Sequence, residues 1–148
     1  MKGSLARIGL ARTICPDAAQ PVILHGTGWA RAKMTVRNGL YHIRIEMLDA
    51  VQGGNQGVMV LRDGTMRGGD SFFFAYGSYT SADGKWKGEL TNEEHSPSFD
   101  ERPVWGRKVV TIGFSGTYTD ETAYGEGIAL AGKQSIRFKG NLRLLVPD

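Results

Sequence analysis

The chain is predicted to be all-β, a single antiparallel up-and-down β-barrel of about eight strands. Three observations predict it. Apolar and polar residues alternate over several separate runs, which is the two-residue period of a half-buried strand. Asp-Gly and similar pairs, which tolerate positive φ, separate the runs. One hairpin is also written twice: Gly77-Ser78-Tyr79-Thr80, a spacer and Trp86-Lys87-Gly88-Glu89 are echoed by Gly116-Thr117-Tyr118-Thr119, a spacer and Tyr124-Gly125-Glu126. A repeated hairpin is most simply a meander, each strand pairing with the one before it.

Taken in order, residues 40–47 place Tyr41, Ile43, Ile45 and Met47 on one face and His42, Arg44 and Glu46 on the other. Residues 49–56, with Gly53 and Gly54, read as a loop, 58–61 as a short apolar strand, and Asp63-Gly64 as a turn. Residues 65–70 lead through Gly68-Gly69 into the aromatic run 72–80, which Asp83-Gly84 folds back onto 85–90. Residues 93–105, polar and carrying Pro97 and Pro103, read as a longer connection. Residues 108–118 align Val110, Ile112 and Phe114, 124–131 form another strand, and Gly132-Lys133 turns the chain. In 135–145, Ile136, Phe138, Leu142 and Leu144 oppose Arg137, Lys139, Asn141 and Arg143. The apolar faces need one shared core. A sandwich satisfies the alternation as well, but a barrel also removes the unpaired edges, and the meander favours it.

A chain of 148 residues fits one domain. Its 21 glycines are scattered through the apolar runs rather than massed in a linker, as strongly coiled strands require. Residues 1–33 differ: they mix Gly, Ala and Pro with isolated arginines and show no clean period. They are expected to form a poorly ordered extension, with Met34 opening the barrel domain, 34–148. The lone Cys15 has no partner for an internal bridge, and no signal-peptide pattern or membrane-length apolar run is present, so a soluble, cytoplasmic protein is expected. The net charge of +3 is uneven. Residues 1–33 hold five basic side chains against Asp17 alone, net +4, whereas 34–148 hold 13 basic and 14 acidic, net −1. A body so near neutrality lacks the positive face that phosphate recognition needs, so no direct nucleic-acid binding is expected.

The inventory for chemistry is thin. His25, His42 and His95 have no partner at metal-ligand spacing, and neither a GxSxG elbow nor a GxxxxGK loop is present. Glu89 and Glu126 occupy matching places in the two hairpins, where outward-facing carboxylates read as solvated cross-strand partners. No catalytic residue, metal site or cofactor is expected, and the chain reads as no enzyme. Two binding surfaces are candidates. Phe72, Phe73 and Phe74 cannot all point inward, so at least one faces outward as interface surface. If side chains leave the interior unfilled, Tyr41, Ile43, Ile45, Trp86, Ile112, Phe114, Ile136 and Phe138 would line a site for a lipid or other hydrophobic small molecule.

The runs NGLYHIRIEM and GVMVLRDGTMRGGDSFFFAYGSY, with the later strand ending in Phe114-Ser115-Gly116, resemble the negative regulator GrlR family of type III secretion control. The resemblance spans roughly residues 34–148. It implies a lipocalin- or calycin-like barrel with a hydrophobic interior, a homodimer, and regulation of transcription by sequestering a transcriptional activator through protein contact. One feature departs from it. The family's namesake carries a dense acidic run in the turn after the aromatic strand, implicated in holding the activator, where residues 81–85 here read SADGK.

Overall fold

Strands with one apolar face must bury it together, and the computed structural model does so by closing the sheet on itself. It describes residues 35–48, 54–97 and 109–148; the expected extension 1–33, with Cys15 and His25, lies outside the described residues, as does Met34. The strands are β1 (Gly39–Met47), β2 (Gly54–Arg62), β3 (Thr65–Gly69), β4 (Phe73–Ala82), β5 (Lys85–Glu94), β6 (Val109–Tyr118), β7 (Thr122–Ala131) and β8 (Gln134–Pro147). Each pairs antiparallel with the next and β8 returns to β1, so the chain forms a closed eight-stranded up-and-down barrel of the lipocalin or calycin type. The inward positions are mainly apolar, while Arg44, Lys87, Glu89, Glu126 and Arg137 face out together with some apolar side chains such as Val60 and Ile128. Among the described residues there is no helix long and apolar enough to cross a membrane.

Most strand ends shift by one or two residues from the sequence reading, and two shift by four, each for a physical reason. β2 begins at Gly54 rather than Val58, because the loop-like Gly-Asn-Gln-Gly pairs along Ile43, Arg44, Ile45 and Glu46 of β1. Glycine serves there because of close packing: a Cβ on Gly57 would lie 2.3 Å from the carbonyl oxygen of Gly69. β5 continues through Glu93 and Glu94, which pair with Phe74 and Phe73. Two consecutive glutamates break the polar–apolar alternation, so polarity alone disguised the extension.

The two ends of the barrel are built differently. At the end holding the β2–β3 and β4–β5 turns, Asp63 (φ 47°) with Gly64 (φ 84°) and Asp83 (φ 51°) with Gly84 (φ 81°) make the positive-φ pairs of type I′ hairpins. The duplicated motif acquires its meaning at this end. The Tyr79 amide donates to the Gly64 carbonyl at 2.8 Å, and the Tyr118 amide donates to the Gly84 carbonyl at 3.0 Å, so each repeat docks its tyrosine on the preceding turn. Both rings then turn inward and join Val36, Tyr41, Leu61 and Ala123 in a packed layer. The Tyr41 hydroxyl donates to the Arg37 carbonyl at 2.7 Å, and Asn38 exchanges two 2.9 Å bonds with Asp63. This end is closed.

Candidate functional site

Space inside the barrel follows from one register row. Trp86 on β5 faces Gly116 on β6, Gly116 faces Gly125 on β7, Gly125 faces Gly140 on β8, and Gly140 faces Ile45 on β1. Three consecutive strands thus contribute no side chain at the same level of the wall. Trp86 leans over part of the gap, its ring centroid 4.7 Å from that of Phe114 and its indole N–H donating to the Tyr124 carbonyl at 2.8 Å. The rest stays open. Beyond the closed end lies a cavity in which the centre of a water molecule can range over about 80 Å³. That is several times the space one water centre needs.

Six of the eight interior residues expected from the sequence border this cavity: Ile43, Ile45, Trp86, Ile112, Phe114 and Phe138. Tyr41 does not. It is 1 % exposed in the layer that seals the closed end. Ile136 packs against the cluster of Met47, Val110, Ile112, Ala129 and Phe138 beside the cavity without bordering it. The sequence reading missed Met59, Met66, Leu90 and Leu142 as wall residues, and Asn55, Gln56, Asp70 and Asn92 as its polar part.

Those polar groups gather toward the other end. β3 stops at Gly69, so only Val58 and the residues after it on β2 have partners there, and the stretch before it forms an open rim. Asp70 organises this rim. Its Oδ1 accepts from the amides of Phe72 (2.7 Å) and Phe73 (3.0 Å), and its Oδ2 accepts from the Asn55 side-chain amide. The His95 ring donates through Nε2–H to the Asp70 carbonyl at 3.0 Å, and the His95 amide donates to the Phe72 carbonyl at 2.8 Å. Asn92 stands apart. It shares the inward phase of Trp86 and Leu90 and is 9 % exposed, yet its Nδ2 has no hydrogen-bond partner among the described residues. A buried amide in that state costs stability unless something satisfies it.

The phenylalanine triplet resolves by alternation. Phe73 is 2 % exposed and points inward, so it is core and not interface; Phe72 lies half-buried at the rim; Phe74 is 39 % exposed on the outer face. Phe74 stacks on Tyr76 at 6.0 Å, and the Tyr76 hydroxyl donates to Glu93 at 2.8 Å. This pair continues an apolar strip. Val146, Leu40 and Val60 share one register row across β8, β1 and β2, and Tyr76 lies in that row beyond Arg67. Val58 and Phe74 lie in the adjacent row.

Among the described residues, no three His, Cys, Asp or Glu side chains come close enough to hold a metal ion. Glu89 and Glu126 are exposed on the outer wall, where Glu126 accepts from the Tyr124 hydroxyl. His42 is also outward-facing, with its Nε2 3.1 Å from Oε1 of Gln56. A scan against protein-family models finds no match for this chain, and a search of curated proteins finds none.

Proposed function

We propose that this protein is a non-enzymatic regulator that acts by contact with another protein, through the outer face of β2, β3 and β4. The observation that carries the reading is the set of Val58 and Val60 on β2 and Phe74 and Tyr76 on β4, each between 39 % and 45 % exposed, lying in two adjoining register rows with Gly69 and Arg67 of β3 between them. Scattered surface hydrophobics are ordinary, but aromatic and aliphatic side chains massed on one face and interrupted by a single arginine fit an interface. The resemblance to the GrlR family supports a homodimer and a transcriptional activator as the sequestered partner, and the near-neutral body fits contact with protein rather than DNA. Sedimentation velocity and affinity purification from the native host test it, comparing wild type with the Val60→Asp/Phe74→Asp double variant. A self-association or a transcription factor lost in the variant supports the proposal. A wild type that stays monomeric and recovers the same proteins as the variant overturns it.

A second reading has its own observation. The cavity bordered by Ile43, Trp86 and Phe114 suits a small hydrophobic molecule, and Asn92 on its border, with its buried Nδ2 unpartnered, offers such a molecule a polar anchor. The two readings combine if occupancy alters the outer face: Ala75 and Asn92, which border the cavity, pair with each other, and their chain neighbours Phe74, Tyr76 and Glu93 belong to the outer face.

A further inference from the structure

Resting on that second reading, we propose that the cavity selects a neutral hydrocarbon ligand bearing a hydrogen-bond acceptor oxygen, such as a ketone, ester or amide carbonyl, and rejects the corresponding carboxylate. The polar groups on the wall decide this. Asp70 has both oxygens engaged by Phe72, Phe73 and Asn55. The Trp86 N–H is committed to the Tyr124 carbonyl. The Asn92 Nδ2 is the buried donor left over, and it needs an acceptor.

The charge pattern then separates acceptors. Among the described residues the cavity is bordered by no Lys, Arg or His, and its single charged side chain is the carboxylate of Asp70. A ligand carboxylate would lose its hydration without gaining a cation and would share the site with a like charge. A carbonyl oxygen has no such cost, and one N–H satisfies it. Asn92 lies two residues from the end of β5, with Leu90 and Trp86 following it inward on the same face, so the oxygen sits toward the open rim and the hydrocarbon runs toward Trp86, Met66 and Leu142.

Isothermal titration of the full chain at pH 7 with benzene, 2-octanone and octanoate tests both layers. Benzene tests the apolar space alone. The expected result is that 2-octanone binds at least tenfold more tightly than octanoate, and that Asn92→Leu weakens 2-octanone about tenfold while leaving benzene unchanged. Gly125→Val, which adds side-chain volume where a Cβ meets nothing closer than 3.5 Å, abolishes binding of all three while the protein stays folded. Octanoate binding as tightly as 2-octanone, or a 2-octanone affinity that Asn92→Leu leaves unchanged, overturns the selectivity while the cavity reading stands. Failure of all three compounds to bind the wild type overturns the cavity reading itself.

Discussion

The closed and open ends of this barrel share the same eight strands and differ in what the inward positions carry. At the closed end those positions hold Tyr41, Leu61, Tyr79 and Tyr118, and every nearby turn is tied to its neighbour by backbone bonds. Beyond that layer they also hold Gly125, Gly140, Asn55 and Asn92, which leave a cavity beside a second packed cluster of Met47, Val110, Ile112, Ala129 and Phe138. The contrast teaches that the sealed layer and the second cluster carry stability, while the glycine and asparagine positions leave room. A small domain can leave an interior unfilled only if another layer compensates.

The largest break of that comparison is a truncation at each end. Leu61 is fully buried, so Leu61→Ala should cost roughly 2–5 kcal/mol by removing packed methyl groups and leaving a void. Ile45→Ala, on the cavity wall, should cost about half of that or less, because the side chain already lacks partners on one side. Urea unfolding of both variants measures the difference, and equal losses would mean that the cavity is no weaker than the sealed layer.

A sharper version lies within the glycine row. A Cβ on Gly116 would stand 1.8 Å from the Tyr124 carbonyl oxygen, so Gly116→Ala must displace backbone and should cost about 1–3 kcal/mol. Its register neighbour Gly125 would place a Cβ at ordinary contact distance, 3.5 Å from the Phe114 ring. Gly125→Ala should therefore be neutral or stabilising by about 0.5–1 kcal/mol, through cavity filling and a less flexible unfolded chain. Thermal melts that rank the two the other way would contradict the glycine row as the origin of the space.

The same logic predicts that Asn92→Leu stabilises the ligand-free protein by about 1 kcal/mol, since it exchanges an unsatisfied amide for apolar surface of similar size. Loss of stability in urea would instead show that Asn92 is already satisfied in solution.

How much of this was legible beforehand depends on what each residue announces about itself. Alternation fixed the inward faces of β1 and β8, and Asp63-Gly64 and Asp83-Gly84 announced their turns, because side-chain period and positive φ are local properties. The stretch before Val58 was misread because glycine and amide residues carry no period, and only the partner strand shows that they pair. The cavity was half legible. Ile43 and Phe114 were in phase and so were expected, but the row Gly116, Gly125, Gly140 exists only once the registers of two strand pairs are known. Asn92 was in phase with Trp86 and Leu90 throughout; a polar residue on an apolar phase was the available signal. Tyr41 lies in the interior as expected but seals the closed end instead of bordering the cavity, since period gives the face of a strand but not the height along the barrel.

The smallest effect concerns that tyrosine and the pH at which the closed end fails. Burial, followed by the neighbouring Tyr79 and opposed by Arg37, holds the Tyr41 phenol above its ordinary value of 10.0. Burial likewise raises Tyr79. A phenol whose folded value lies above its unfolded one contributes its full stabilisation below the unfolded value and loses it as pH rises through the folded one. Stability should therefore be level in this respect at neutral pH and decline above about pH 10, where unfolding releases these two protons. Tyr41→Phe should cost about 0.5–1 kcal/mol at pH 7, by deleting the hydroxyl bond to the Arg37 carbonyl. The cost should shrink as pH rises, because the variant has one fewer buried phenol to ionise. Urea midpoints of both proteins at pH 7, 9 and 10.5 supply the comparison; a gap that stays constant over that range would place the alkaline sensitivity somewhere other than the tyrosine layer.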